Sequence, residues 1–150
     1  MSKSKCEGRG RSPPVYDFEG EFLGKKAFLR VTSVTGHVFS MDFPSQYQKW
    51  DAVEPVDLFS APVKSNPEGK GGIVKHLERE AKGFDYLCLW LDCDREGENI
   101  CFEVIRCVKT TMKGNIETKG SEQRIFRAKF SAVTPSDIFK AMQNLGEPNE

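Results

Sequence analysis

Three acids, Asp92, Asp94 and Glu96, stand two apart in Leu-Asp-Cys-Asp-Arg-Glu-Gly-Glu-Asn, directly behind the uncharged run YLCLWL. In extended chain, residues two apart face the same side. The spacing therefore predicts three carboxylates gathered just past the end of a strand. Like charges held that close repel unless a cation neutralises them. A donor set made only of oxygens selects a hard ion, Mg²⁺ or Mn²⁺, over zinc or copper. Mg²⁺ commonly takes one or two carboxylates and completes its shell with water and phosphate. The acids thus point to metal-assisted phosphate chemistry. A solvated acidic turn is the plainer reading. The apolar run before the acids and Gly97 after them favour the metal site.

Two other readings fit part of the pattern. Counted from Asp92 as position one of a calcium loop, acids fall at one, three and five, Gly97 at six and Glu103 at twelve, close to an EF-hand. That motif needs a helix on each side, whereas YLCLWL has no helical periodicity, and Ile100 at position nine offers no ligand. An aspartyl-phosphate phosphotransferase also places Asp-x-Asp after a buried strand. There, Thr or Val is usual where this chain has Glu96.

The elements that must position the acids can be read from the pattern around them. Phe84 to Leu91 reads as a strand buried on both faces. A helix is predicted from about Glu98 to Lys109, with Ile100, Val104, Cys107 and Val108 on one side. A second strand, RIFRAKFS, follows a polar loop. Thr134-Pro135-Ser136-Asp137 is a helix start, with a cap, a proline at the first position and an acid at the third. Upstream, VYDFEGEF and KAFLRVTSVT read as two strands around a turn at Leu23, Gly24 and Lys25. Residues 36 to 72 are expected to be mostly loop, since Pro44, Pro55, Pro62 and Pro67 bar a long helix. IVKHLEREAKG then reads as a helix stopped by Gly83. Residues 1–14 read as a flexible tail and 15–150 as one domain. The fold class is α/β: a Rossmann-like parallel sheet flanked by helices, with an N-terminal two-strand extension.

Composition bounds what such a domain can do. The chain has 150 residues, 38% hydrophobic and 29% charged, a globular balance. Lys plus Arg equal Asp plus Glu at 22 each, so no global basic field exists and nucleic-acid contact must be local. Five cysteines without a CxxC pair and two histidines argue against zinc. They suit a reducing compartment, nucleus or cytoplasm. No apolar run approaches the ~18 residues of a membrane span.

Other residues have both a functional and a structural reading. His37 is a loop histidine near the acidic edge that could meet phosphate. Arg95 lies between two acids and could do the same. Arg127 could bind nucleic acid or form a structural ion pair. Trp50 could stack on a base or anchor its loop. Lys64, Lys70 and Lys75 would form a weak basic patch. His76, between Lys75 and Arg79, reads as a surface residue, and Trp90 as core.

LDCDREGENI resembles the DxDxE signature of the Toprim domain, which type IA topoisomerases, primases and some nucleases share. SVTGHVFSMDF (33–43) is similar to the loop after the second strand of type IA topoisomerases. RAKFSAVTPSDIFKAM (127–142) resembles the segment that closes their Toprim domain. LWLDCDREGENICFEV and residues 47–59 look most like the eukaryotic topoisomerase III branch, beta type. The resemblance covers about 15–148.

It implies a Toprim fold, with Asp92, Asp94 and Glu96 as catalytic acids and metal ligands and Mg²⁺ (or Mn²⁺) as cofactor. It also implies a role in breaking and rejoining one DNA strand. The implied partners are single-stranded DNA, RNA as a further nucleic acid, the remainder of the topoisomerase chain and a Tudor-domain scaffold protein. The family's AEKPS-like first strand, with its glutamate, has no counterpart here. MSKSKCEGRGRSPP stands in its place, and Glu7 lacks the context. No YPRT-like motif carries a nucleophilic tyrosine. The Toprim domain is therefore expected to be incomplete at its N-terminus, and the chain alone is expected to be inactive. A Toprim nuclease or primase and a non-catalytic Toprim remnant remain the other readings.

Overall fold

The computed structural model describes residues 4–6, 12–49, 51, 53–67, 71–114 and 123–149. Glu7, Trp50 and Lys70 lie outside the described residues, as do residues 1–3 and 7–11 of the segment read as a tail.

Strands β1 (Ser4–Cys6), β2 (Val15–Phe22) and β3 (Lys25–Val31) form an antiparallel sheet in the order β1-β2-β3. The two-strand extension read from the sequence is β2 and β3, paired from Tyr16↔Val31 to Phe22↔Lys25. Leu23 (φ 50°) and Gly24 (φ 73°) make the turn between them. Two left-handed residues in succession match the twist of the flanking strands. Part of the segment read as a tail is strand. Ser4–Cys6 pairs with Asp17, Tyr16 and Val15 and takes up hydrogen-bonding groups that β2 would otherwise leave open at its edge.

The stretch expected to be mostly loop contains a second antiparallel ladder, β4 (Phe39–Asp42) with β5 (Lys64–Pro67). Two short 3-10 turns, Ser45–Tyr47 and Pro55–Phe59, lie between them. The prolines do bar a long helix here, but they allow extended backbone.

A parallel pair, β6 (Leu87–Leu89) and β7 (Ile125–Arg127), is joined through helix α2 (Arg95–Val108). This is the α/β unit that the sequence predicts. Helix α1 (Gly72–Ala81) precedes it and α3 (Pro135–Gln143) follows. β6 is shorter and less buried than YLCLWL suggested. Leu89 is 3% exposed, while Tyr86 is 42% exposed, and Leu87, Cys88, Trp90 and Leu91 are half-buried. Among the described residues β6 has one strand neighbour, so only part of the run is enclosed.

The core collects the inner face of α2 (Ile100, Cys101, Val104, Cys107, Val108) with Leu77 of α1, Leu89 of β6, Val38 and Met112. Positions 100, 104, 107 and 108 recur at helical spacing, so a single stripe of α2 can be buried.

Two polar joints fasten the antiparallel sheet to α1. Arg30 donates to both carboxylate oxygens of Asp17, at 2.8 and 2.6 Å, and lies 3.3 Å from Glu80. The second joint centres on His76, which is 1% exposed and not at the surface as its charged neighbours suggested. Arg79 Nη2 donates to Nδ1 at 3.0 Å. The proton must therefore sit on Nε2, which donates to Thr32 Oγ1 at 2.7 Å. Thr32 in turn donates to the Pro14 carbonyl at 3.1 Å. Burial first, and the nearby Arg79 charge, hold the imidazole below its ordinary value, outweighing the pull of Glu80.

Candidate metal and phosphate site

α2 starts at Arg95, three residues earlier than the pattern suggested, because Asp94 caps it. Asp94 is extended (φ −133°, ψ −178°), and its Oδ1 accepts from the Gly97 N–H at 2.7 Å. An acid at this position satisfies an orphan donor and meets the positive end of the helix dipole.

The cap corrects the expected geometry of the three acids. Glu96 lies inside the first turn, where residues two apart no longer share a side. Its carboxylate is 69% exposed and stands 3.7 Å from His37 Nε2. Among the described residues, no three His, Cys, Asp or Glu side chains are gathered so as to hold a metal ion. Asp92 and Asp94 remain as two exposed carboxylates in one loop. Among the described residues, no Lys, Arg or His forms an ion pair with either of them. Asp94 Oδ2 is not used by the cap. A two-carboxylate, all-oxygen donor set suits Mg²⁺, which leaves most of its shell to water and substrate oxygens.

The backbone beneath the acids is tightly held. A Cβ built at Gly97 would lie 2.0 Å from the Asp92 carbonyl oxygen, so only glycine lets α2 come this close. From the other side comes Arg127, whose side chain is fully buried at 0% exposure. It donates to Glu98 Oε1 (2.9 Å), to the Leu91, Ala128 and Asp92 carbonyls (2.8 Å each) and, at 3.4 Å, to the Leu89 carbonyl. A guanidinium so enclosed cannot meet a nucleic acid, which corrects that reading of Arg127. Its ion pair with Glu98 follows the structural one. Burial works against ionising Glu98. The Asn149 N–H and the Arg127 guanidinium outweigh it and hold the carboxyl below its ordinary range.

His37 sits near the acids but is engaged by α2. Its Nδ1–H donates to Glu103 Oε1 at 3.0 Å. Glu103 Oε2 accepts from the Val38 N–H at 2.7 Å and the Phe39 N–H at 3.3 Å. Glu103, the twelfth position of the calcium-loop count, is therefore turned toward the 37–39 loop. With a strand before the acids and a helix only after them, the EF-hand reading fails. Arg95 is exposed on the first turn of α2, beside a groove lined by Asp94, Glu98, Asn99, Phe102 and Lys129. Glu98, Glu103 and Gly97 are the residues of this site to which the sequence reading gave no role in holding it.

Cysteine chemistry is not on offer in the core. Burial pushes the Cys88, Cys101 and Cys107 thiols up to about 11. Cys93, between the acids, is exposed, and its Sγ reaches the Phe130 carbonyl at 3.3 Å.

The described residues thus form a parallel β-α-β unit with an acidic turn at the end of its first strand. Sequence comparison makes the class definite: the chain belongs to the Toprim domain family, which matches residues 15–133. More particularly, it is similar to DNA topoisomerase 3-beta of Arabidopsis thaliana, 51% identical over 152 residues that cover 99% of this chain and 17% of that protein. DNA topoisomerase 3-beta-1 of Homo sapiens is 45% identical over 150 residues, with the same shares. Human DNA topoisomerase 3-alpha is 39% identical over 145 residues, covering 96% of this chain and 14% of that protein. The chain thus spans 17% of the length of the first two relatives.

Proposed function

We propose that this chain supplies the metal and phosphate site of a type IA topoisomerase acting on single-stranded DNA. Asp92 and Asp94 would hold Mg²⁺, or Mn²⁺ in its place. Glu96, on the first turn of α2 and facing His37, would reach the same phosphate region. The ion, when bound, supplies positive charge against phosphate and hydroxyl oxygens during strand breakage and rejoining. The chain's own residues do the rest. Asp94 fixes the start of α2, Gly97 lets α2 close on Asp92, and Glu103 ties the His37 loop to the same helix. The nucleophile that breaks the strand would come from the remainder of a topoisomerase chain. In this reading RNA would be a further substrate and a Tudor-domain scaffold a partner, in a nuclear or cytoplasmic setting.

The observation that carries this reading is the similarity to DNA topoisomerases over 96–99% of the chain, with the acidic loop in its midst. A second reading, a non-catalytic Toprim remnant, draws support from Glu96, which does not join Asp92 and Asp94 in a group of three. Titration with Mn²⁺, followed by the loss of free-ion spin resonance signal, tests the metal site on which the first reading depends. Wild type should bind, and Asp92→Asn/Asp94→Asn should lose at least about tenfold in affinity. Equal affinity in both proteins would remove the site from Asp92 and Asp94.

A further inference from the structure

We propose that Arg127 is the positioning residue of the acidic loop, a buried fork that sets the path of the backbone carrying Asp92 and Asp94. The proposal rests on the metal reading for its purpose but not for its geometry.

The parallel ladder ends at Leu89↔Arg127, closed by the Ala128 N–H on the Leu89 carbonyl at 3.0 Å. Beyond it, among the described residues, the chain runs on to the acids without a strand partner on this side. Buried carbonyls there need donors from elsewhere. Arg127 provides them. Its own backbone is pinned by bonds in both directions with Gly146, at 2.8 and 2.9 Å, so the side chain starts from a fixed point. The guanidinium is planar, and its five N–H groups point in set directions. Nη1 serves Leu91 and Ala128, Nη2 serves Asp92, and Nε serves Glu98.

One side chain thus ties the end of β6, the acidic turn, the first turn of α2 and β7 into a single body. The Asp92 carbonyl is gripped between Arg127 Nη2 and the Cα of Gly97. The outcome is two carboxylates that are exposed while the backbone beneath them is held. A ligand site needs this combination, because groups left to find their geometry on binding bind more weakly. A lysine could fill the space and keep the charge. Its three N–H groups sit on one nitrogen, whereas Arg127 reaches Glu98 and the backbone carbonyls from three separate nitrogens.

The test uses the full chain, ¹⁵N-labelled, as wild type, Arg127→Lys and Glu98→Gln. Backbone amide shifts and Mn²⁺ affinity are both read. In Arg127→Lys the amides of residues 91–97 should move while those of 16–31 stay in place. Mn²⁺ affinity should fall about tenfold, the usual scale for losing a partner behind the ligands. Glu98→Gln should give smaller changes at the same residues. Unmoved amides at 91–97, or shifts spread evenly over the chain, would overturn the positioning role. So would unchanged affinity in a wild type that binds. Should Arg127→Lys fail to fold, Glu98→Gln alone decides on the same criteria. If wild type binds no Mn²⁺, the metal reading fails, and the amide shifts still decide whether Arg127 sets the loop.

Discussion

A methyl group at position 97 would stand 2.0 Å from the Asp92 oxygen and 2.9 Å from its carbonyl carbon. Both are backbone atoms, so no side-chain rotation relieves the clash. Gly97→Ala should destabilise the chain by about 3 kcal/mol, measured by urea unfolding, and Mn²⁺ affinity should fall in whatever fraction stays folded. At this scale the sequence showed the acids but not their arrangement. Asp92 and Asp94 stand out in the sequence because closely spaced acids at the end of an apolar run sit where a sheet would present a ligand. Glu96 was misplaced because Asp94 can be either a ligand or a helix cap, and the spacing rule for extended chain was carried one residue too far. Arg127 was legible as an ion-pair residue. Its burial was not, since all of its side-chain partners but the neighbouring Ala128 lie 29 to 38 positions away. His76 was misjudged for the same reason: its burial depends on Thr32, 44 residues distant.

Elements with local signals were read well. Thr134 caps α3 by accepting from the Asp137 N–H, with Pro135 at the first helical position, as the four-residue pattern predicted. The β2–β3 hairpin was likewise visible, and its turn holds a correctable flaw. Leu23 takes a left-handed conformation (φ 50°) and is 52% exposed. It therefore bears a steric cost with little burial in return. Leu23→Asn should raise stability by about 1 kcal/mol, read as a higher urea midpoint with unchanged slope. The β4–β5 ladder was not visible, because a short two-stranded pairing among prolines carries neither alternation nor a turn signature. β6 was overestimated in length. An apolar run marks a tendency to be buried, whereas strand length is set by the partner, and β7 offers three residues.

Across the molecule, three titratable groups make stability depend on pH in the same direction. His76 is held below 6.5, mainly by burial. Asp17 is held below 3.8, chiefly by its hydrogen bond from Arg30. Glu98 is held below 4.5 despite its burial. Each takes up a proton more readily unfolded than folded. Each therefore adds stability above its unfolded value, and that contribution is lost as pH falls toward the folded one. The melting temperature should be level between pH 6.5 and 9, the ordinary value of the buried thiols, decline on acidification first through His76, and decline again below 4.5 as Glu98 and then Asp17 follow. A melting temperature that rose on acidification through 6.5 would contradict the buried neutral imidazole. Two of these groups, His76 and Asp17, belong to the joints that fasten the β1-β2-β3 sheet to α1. Glu98 belongs to neither joint and lies on α2 by the acidic loop. Mild acid should therefore loosen one seam first. In hydrogen–deuterium exchange, amides of 16–31 should open together as one subglobal unit while α2 still resists. The domain would then come apart as a peeling hairpin followed by a melting core, not in a single cooperative step.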